Sequence, residues 1–196
     1  MNWNWNFDAG PPNQPPPGFS FSRTGQGRQG NWTIQNDNQA PSGAYVLAQT
    51  DTDYTSYRFP VAIANEPTLR DVRVSVHCKP VSGKVDQACG VVLRYRDENN
   101  YYVARANALE DNVRFYYVAG GKRHELASWS GKVVSGTWHT LSVDAKADRF
   151  EVFWNNQKVI DKRDATFAEP GKVGLWTKAD SVTYFDDLIV EALEGG

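Results

Sequence analysis

Three arginines occur at short intervals in the middle of the chain, each within a segment of tyrosines and valines. They are Arg94, Arg105 and Arg114, in the stretch VVLRYRDENNYYVARANALEDNVRFYYVAGGKRHEL at residues 91–126. A guanidinium is a planar fork of donors that binds carboxylates, sulfates or sugar hydroxyls in pairs, and tyrosine rings can stack on a ligand. If these side chains share one surface, that surface could recognise a polar, hydroxylated ligand.

Turn signals predict that the arginines lie on neighbouring antiparallel strands. The predicted turns are centred at 98–99, at 109–110 and at the glycine pair 120–121. Because alternate side chains of a strand point to opposite faces, this register separates a core face from a polar face. The predicted core face comprises Val91, Leu93, Tyr95, Tyr102, Ala104, Ala106, Val113, Phe115, Tyr117 and Leu126, with Leu93, Ala104, Phe115 and Leu126 in one row. The predicted polar face comprises Val92, Arg94, Arg96, Tyr101, Val103, Arg105, Asn107, Asn112, Arg114, Tyr116, Arg123 and Glu125.

The same register places Arg105 directly opposite Arg114, and like charges across a strand pair are unfavourable. Glu125, diagonal to Arg114, is the candidate for compensation. One interpretation is a solvated face with an ion pair that contributes about 0–1 kcal/mol. The other is a recognition surface whose exposed arginines bind a ligand and add little to stability. On that interpretation the ligand contacts are Arg94, Arg105, Asn107, Arg114, Tyr116, Glu125, Trp176 and Lys178.

Trp176 and Lys178 join this set from a later segment, GLWTKADS. In a hairpin, Trp176, Lys178 and Tyr184 would share one face. Leu175 and Phe185 would then face the core. Trp176 on such a face is either a packing residue or a platform for a sugar ring.

The elements that carry these residues are predicted to be strands. No 3.6-residue apolar period persists over the length of a helix. Many short antiparallel strands in 196 residues favour one all-β domain, a two-sheet antiparallel β-sandwich or jelly roll. Residues 1–30, rich in Pro and Gly, are predicted to be extended, with GFSFSRTGQGRQG as a loop. The predicted strands lie at about 32–36, 44–49, 57–63, 68–79, 87–96, 101–107, 112–118, 122–129, 138–145, 149–154, 157–161, 172–178 and 182–192.

Composition argues against several classes of partner. The net charge is −2 and the pI about 5.9, so no basic field would attract nucleic acid or an anionic membrane. No apolar run approaches the roughly 20 residues of a membrane span, and no signal peptide is visible. Met1 directly before NWNWNF is typical of an initiator methionine added to a mature domain. We expect a monomer without nucleic-acid or membrane partners.

Several segments together carry a family resemblance. They are PPGF, GNWTIQND, VVLRYRDENNYYVARANALEDNVRFYYV, WHTLSVDAKADRFEVFWNNQKVIDKRDATF and GKVGLWTKADSVTYFDDLIVEAL. The chain resembles, over nearly its whole length, bacterial secreted domains of the concanavalin A-like lectin/glucanase superfamily. Within that superfamily, the chain resembles laminin G-like jelly rolls and the 3-keto-disaccharide hydrolases. The resemblance implies two antiparallel sheets, one of them curved, with ligands bound on the concave face or at the rim.

The resemblance is specific for fold and much less so for activity. Laminarinase-type glucanases carry Glu-x-Asp-x-x-Glu on one strand, which places two carboxylates beside the scissile bond, and this chain has no such spacing. The 3-keto-disaccharide hydrolases have Asn-Ser-Gly-Ile before their arginine, whereas this chain has ACGVVLR, so only the glycine, the apolar run and Arg94 match. No nucleophile, histidine-metal or nucleotide motif is present.

The two cysteines, Cys78 and Cys89, are placed symmetrically about SGKV. A type II′ turn centred between Gly83 and Lys84 would put them directly opposite each other. A cross-strand disulfide would then add about 2–3 kcal/mol and would require an oxidising compartment, as in a secreted or periplasmic protein. The alternative is two reduced, buried thiols.

Calcium is a cofactor that the resemblance implies. In the superfamily, an Asp on the last strand often helps to hold a structural calcium, and Asp187 in SVTYFDDLIV matches that position. Asp8 in NFDAG is a possible distal partner, because calcium prefers several hard oxygen ligands. Alternatively, Asp187 caps the end of a strand.

The sequence therefore favours an exported, lectin-like domain that binds carbohydrate or another polyhydroxy ligand through the Arg-, Tyr- and Asn-rich face. A glycoside-active enzyme of the 3-keto-disaccharide hydrolase kind is the main alternative. A purely structural or adhesive module, whose arginine face packs on a neighbouring domain, is the third.

Overall fold

The computed structural model describes residues 1–193 as two packed antiparallel sheets. Within residues 1–193, strands account for 59% and there is no helix. In that range no helix is long and apolar enough to cross a membrane. The all-β, two-sheet sandwich predicted from the sequence is confirmed. The strands are β1 (Asn2–Trp5), β2 (Phe19–Gly25), β3 (Trp32–Asn36), β4 (Tyr45–Gln49), β5 (Arg58–Ala64), β6 (Val72–Ser82), β7 (Ala88–Asp97), β8 (Asn100–Asn107), β9 (Asn112–Ala119), β10 (Lys122–Ser130), β11 (His139–Lys146), β12 (Arg149–Trp154), β13 (Gln157–Arg163), β14 (Lys172–Trp176) and β15 (Val182–Ala192).

Each sheet combines strands from distant parts of the chain. Sheet 1 has the order β10-β9-β8-β7-β14-β5-β2. Sheet 2 has the order β13-β12-β11-β6-β15-β4-β3, and β1 also pairs with β15. The meander β7–β10 that carries the arginines therefore forms one half of sheet 1.

The core between the sheets follows the period-2 pattern of the strands. In β11, for example, every second residue is buried from His139 to Ala145. Tyr102 and Phe115 of sheet 1 pack on Phe150 of sheet 2, with ring centroids 4.5 and 5.0 Å from it. Leu93 and Phe115 are fully buried. These aromatic contacts bring the two sheets together under the arginine meander.

Sheet 1 also buries much of its outer face, because large side chains lie flat on it. Phe59 and Trp176 stack there at 5.2 Å, and Tyr95 stacks on Tyr101 at 5.8 Å. Strand β5 is consequently buried at all seven positions, and its sequence RFPVAIA shows little alternation. The residues of this second cluster are Phe59, Val61, Ile63, Ala88, Val92, Tyr101, Val103, Tyr116, Val118 and Trp176.

The prediction that GFSFSRTGQGRQG is a loop is wrong, because this segment contains strand β2. Strand β2 pairs with β5 from Phe19↔Ala64 to Gly25↔Arg58, and β1 pairs with β15. The F-S-F-S alternation within the predicted loop is the signal of this edge strand. Its prolines precede the strand, where no ladder donor is needed.

The disulfide between Cys78 and Cys89 is confirmed, with Cα atoms 6.4 Å apart. Its predicted cross-strand position is wrong, because Cys78 lies on β6 of sheet 2 and Cys89 on β7 of sheet 1. The chain between them is an arch from one sheet to the other. The bridge therefore links the two layers through the core.

A second predicted hairpin is also an arch between the sheets. Strand β14 belongs to sheet 1 and β15 to sheet 2. Leu175 and Phe185 both face the core as predicted, but Trp176 and Tyr184 lie on the outer faces of different sheets. The residues of the arch, 177–181, lie at the same end of the sandwich as the 83–87 arch.

Candidate functional site

The register of β8 and β9 places the arginines where the sequence predicts them. Arg105 is the cross-strand partner of Arg114, and Ala104 is the partner of Phe115. On β10, Glu125 pairs with Tyr116, after which Leu126 is an extra, bulged residue. Leu126 is therefore partly buried and does not lie opposite Phe115. The polar and apolar faces of these three strands are otherwise as predicted.

Arg94 does not lie on this face, contrary to prediction. Leu93 pairs with Tyr102 instead of Ala104, the ladder is interrupted as far as Asp97, and Arg94 adopts a φ of 50°. This bulge turns its side chain toward the core edge, where the guanidinium donates to the carbonyls of Phe167 (2.9 Å) and Arg70 (3.1 Å). Burial lowers the pKa of Arg94. Tyr95, predicted in the core, lies instead on the outer face.

Arg105 lies on the predicted face but is buried, with 1% of its side chain exposed. Its guanidinium donates to Asn112 Oδ1 and to Tyr116 Oη at 3.2 Å, and it lies 3.7 Å from Glu110 Oε2. Burial lowers the pKa of Arg105. The expectation that Arg105 is exposed is therefore wrong.

Asn107 lies between Glu110, which is near Arg105, and a second ion pair, Asp86–Lys178. Its amide donates to Asp86 Oδ1 at 2.9 Å and to Glu110 Oε2 at 3.0 Å. Lys178 Nζ lies 3.2 Å from the buried Asp86 carboxylate. Burial raises the pKa of Asp86, and the charge of Lys178 acts in the opposite direction. Neither Asp86 nor Glu110 is a predicted site residue.

The accessible part of the site surrounds Arg114. Its guanidinium lies 3.2 Å from Glu125 Oε1 and 3.8 Å from Glu110 Oε1, and the side chains of Arg114 and Glu125 are 33% and 46% exposed. These two carboxylates compensate the Arg105–Arg114 pair. We call the whole group the polar cluster: Asp86, Arg105, Asn107, Glu110, Arg114, Glu125 and Lys178. With three carboxylates and three cations it offers both donors and acceptors, which suits hydroxyl groups better than an anion.

Trp176 lies on the outer face of sheet 1 but has no exposed surface. Its indole donates to Tyr101 Oη at 3.1 Å and stacks on Phe59. Gly90 is its cross-strand partner, and a β-carbon there would lie 3.1 Å from Trp176, so the glycine makes room for the ring. Trp176 is thus a packing residue, and its predicted contact with a ligand does not fit this burial. Tyr116 is buried as well, beneath the Arg123 guanidinium at 4.8 Å.

The predicted calcium ligands lie at a different place, beside β15. Asp8 accepts hydrogen bonds from the N–H groups of Ala44 (3.1 Å) and Tyr45 (3.0 Å). Asp187 accepts one from Ser42 Oγ at 2.6 Å and lies 3.2 Å from His77 Nδ1. Within residues 1–193, no three His, Cys, Asp or Glu side chains are arranged to hold a metal. Asp8 and Asp187 each accept hydrogen bonds from protein groups, and a bound calcium ion stays a prediction from the resemblance.

Comparison with known proteins finds solved structures with the same fold as this chain. No family model matches the chain. A levanase of Bacillus subtilis (strain 168) is 28% identical over 99 residues, which are 50% of this chain and 14% of the levanase. The carbohydrate-binding module CBM66 from Bacillus subtilis superposes with a TM-score of 0.67 and 20% identity, over 88% of this chain and 95% of the module. The exoplasmic/lumenal domain of VIP36, bound to Ca²⁺ and Man3GlcNAc, has a TM-score of 0.62 and 13% identity, over 92% and 85% of the two chains.

These similarities show a jelly-roll fold, which this chain shares with the CBM66 module and with the VIP36 domain. The identities to the solved structures are low, so the likeness is one of fold. The match to the levanase spans only a small part of that enzyme's length.

Proposed function

We propose that the protein is a carbohydrate-binding module whose ligand contacts the polar cluster. The observation that carries this proposal is the group around Arg114, in which half-exposed carboxylates and a guanidinium stand over a buried, rigid sheet face. Charge-assisted hydrogen bonds to sugar hydroxyls are the strongest that such a surface can offer. The carbohydrate-binding proteins that share the fold support the same conclusion.

A fructan of the levan type is the proposed ligand class, because the similar segment of known sequence belongs to a levanase. Binding is favoured over hydrolysis, since each carboxylate of the polar cluster is held by a cation or an amide. Asp86 lies against Lys178, and Glu110 lies between Asn107 and Arg114. The disulfide across the core favours an oxidising, extracellular location.

Isothermal titration against levan, laminarin and soluble cellulose oligosaccharides tests the proposal. Levan should bind. Arg114→Ala should weaken its binding by about 1.5–3 kcal/mol, the contribution of charge-assisted hydrogen bonds. Arg149→Ala is the matched control, because Arg149 is a similarly exposed arginine of sheet 2 that pairs with Asp161 at 2.8 Å. It should bind levan like the wild type.

Equal losses in both arginine variants, or none in either, would contradict the polar cluster as the site. Release of small sugars from any of these glycans during prolonged incubation with the protein, detected by chromatography, would favour the hydrolase alternative. Failure to bind any glycan would favour a structural or adhesive module.

A further inference from the structure

The loops at one end of the sandwich are held together by a buried arginine, Arg58. Its guanidinium donates to the carbonyl oxygens of Arg28 (2.7 Å), Asp53 (3.0 Å) and Ala179 (2.7 Å). It also pairs with the Asp51 carboxylate at 2.7 Å. One buried side chain thus fixes the loop after β2, the loop before β5 and the arch between β14 and β15. Charge-assisted bonds of this kind make the loop end a rigid surface.

The β4–β5 loop presents Tyr54 outward through a regular local pattern. The side-chain oxygens of Gln49, Asp51 and Asp53 each accept a hydrogen bond from the N–H group two residues further on, at 2.8, 3.0 and 2.9 Å. Thr52 and Tyr54, on either side of Asp53, point outward and are exposed. Tyr54 is 77% exposed, and within residues 1–193 no ring stacks on it and no hydrogen-bond partner holds it. A large amphipathic ring on a fixed loop can bind at little entropic cost.

A cavity of about 460 Å³ lies beside this ring. The side chains that line it include Thr52, Tyr54, Ser82, Lys84, Val85 and Asp180. An aromatic ring and an isopropyl group supply apolar surface, and two hydroxyls, an amine and a carboxylate supply polar atoms. Ligand sites combine apolar walls with a few polar groups in this way. A sugar ring has the complementary character, with apolar C–H faces and a rim of hydroxyls.

The cavity and the polar cluster lie on either side of the same arch. The Asp180 carboxylate accepts hydrogen bonds from the N–H groups of Lys84 (2.7 Å), Val85 (3.1 Å) and Asp86 (3.1 Å). Val85 faces the cavity, and the next residue, Asp86, binds Lys178 in the polar cluster. Consecutive Cα atoms are only about 3.8 Å apart, so the cavity adjoins the Asp86–Lys178 end of the polar cluster.

We propose that Tyr54 is the platform of a second subsite, which holds the sugar unit next to the one bound at the polar cluster. This inference rests on the proposed function and goes further, because it makes the ligand a chain of at least two units rather than a single terminal sugar. Affinity should then rise with chain length and level off once both places are filled.

The test compares the binding of fructose with that of a levan-derived tetrasaccharide. Each sugar is titrated into the protein, and binding is monitored by calorimetry or by NMR chemical shifts. For the tetrasaccharide, Tyr54→Ala should bind about tenfold more weakly than the wild type. For fructose, it should stay within about twofold. Tyr54→Phe keeps the ring and should bind both sugars like the wild type. Phe21→Ala is the control for loss of an exposed aromatic ring elsewhere, on β2. Tyr54 is so exposed that the variants should fold normally.

Each of the other outcomes shows whether the second subsite, the proposed function or both are wrong. Equal affinity of the wild type for fructose and the tetrasaccharide would overturn the second subsite and leave the polar cluster in place. Equal losses for both sugars in Tyr54→Ala would also overturn it, since Tyr54 would then belong to the first site. A loss in Tyr54→Ala with none in Arg114→Ala would overturn the polar cluster and support Tyr54. No binding of either sugar would overturn both.

Discussion

Replacing Arg105 by methionine should destabilise the protein strongly, although the sequence makes this arginine look exposed. Its guanidinium is buried against Asn112, Tyr116 and Glu110. Methionine fills much of the same volume but leaves these polar groups without their partner. A buried polar group without its partner costs about 1–3 kcal/mol, so leaving Asn112 and Tyr116 unpaired should cost about 2–6 kcal/mol in all. Relief of the repulsion from Arg114 offsets only a small part of this loss, since Arg114 is already paired with Glu125.

Thermal and urea denaturation measure this cost. In a protein of this length, each kcal/mol lowers the melting temperature by about 2–4 °C, so Arg105→Met should melt about 4–24 °C below the wild type. Arg149→Met removes an equally charged but exposed side chain and should change stability by less than about 0.5 kcal/mol. A melting temperature of Arg105→Met within about 2 °C of the wild type would refute the reasoning. Arg105 would then act at the surface, as the sequence alone suggests.

Three further predictions concern the core, the disulfide and pH. Phe115→Ala should lower the free energy of unfolding by about 3–5 kcal/mol, because Phe115 stacks on Tyr102 in the core; an unchanged urea midpoint would contradict the register. Reduction of Cys78–Cys89 should cost about 2–3 kcal/mol in the same assay, and mass spectrometry of unreduced protein should detect no alkylatable thiol. Burial tends to raise the pKa of Asp180, but three backbone N–H donors outweigh it and hold the pKa below its usual range. Such a carboxylate stabilises the fold above the ordinary aspartate pKa of about 3.9, and this contribution is lost as the pH falls through the folded value. Asp180→Ala should therefore cost about 1.5–3 kcal/mol at pH 7, and its deficit should shrink below about pH 4; a deficit that does not vary with pH would contradict this origin.

Local patterns in the sequence were enough to predict strands β3 to β15 and most of their faces. Side-chain direction alternates at every residue of a strand, so the pairing of Arg105 with Arg114 and the burial of Phe115 follow from residue types and turn positions alone. The Cys78–Cys89 pairing was also predictable, but for a geometric reason that proved wrong. Both residues face the core, and the arch between them brings the two sheets together there.

The candidate site itself depends on contacts between distant segments. Asp86 and Lys178 meet only because two arches between the sheets lie at the same end of the sandwich. The 94–96 bulge, which removes Arg94 from the face, depends on how β7 fits between β8 and β14. Neither arrangement has a local signature.

The sequence by itself determined an all-β sandwich, the direction of most strand side chains and a polar face on the arginine meander. Period-2 alternation is a property of a few consecutive residues, so it can be read without the rest of the chain. The tertiary structure decided which strands share a sheet and which polar side chains stay accessible. It buries Arg105 and Trp176, and it leaves Arg114 and Tyr54 exposed. The burial of a side chain depends on which distant segments pack against its face of the sheet, and no local sequence pattern contains that information.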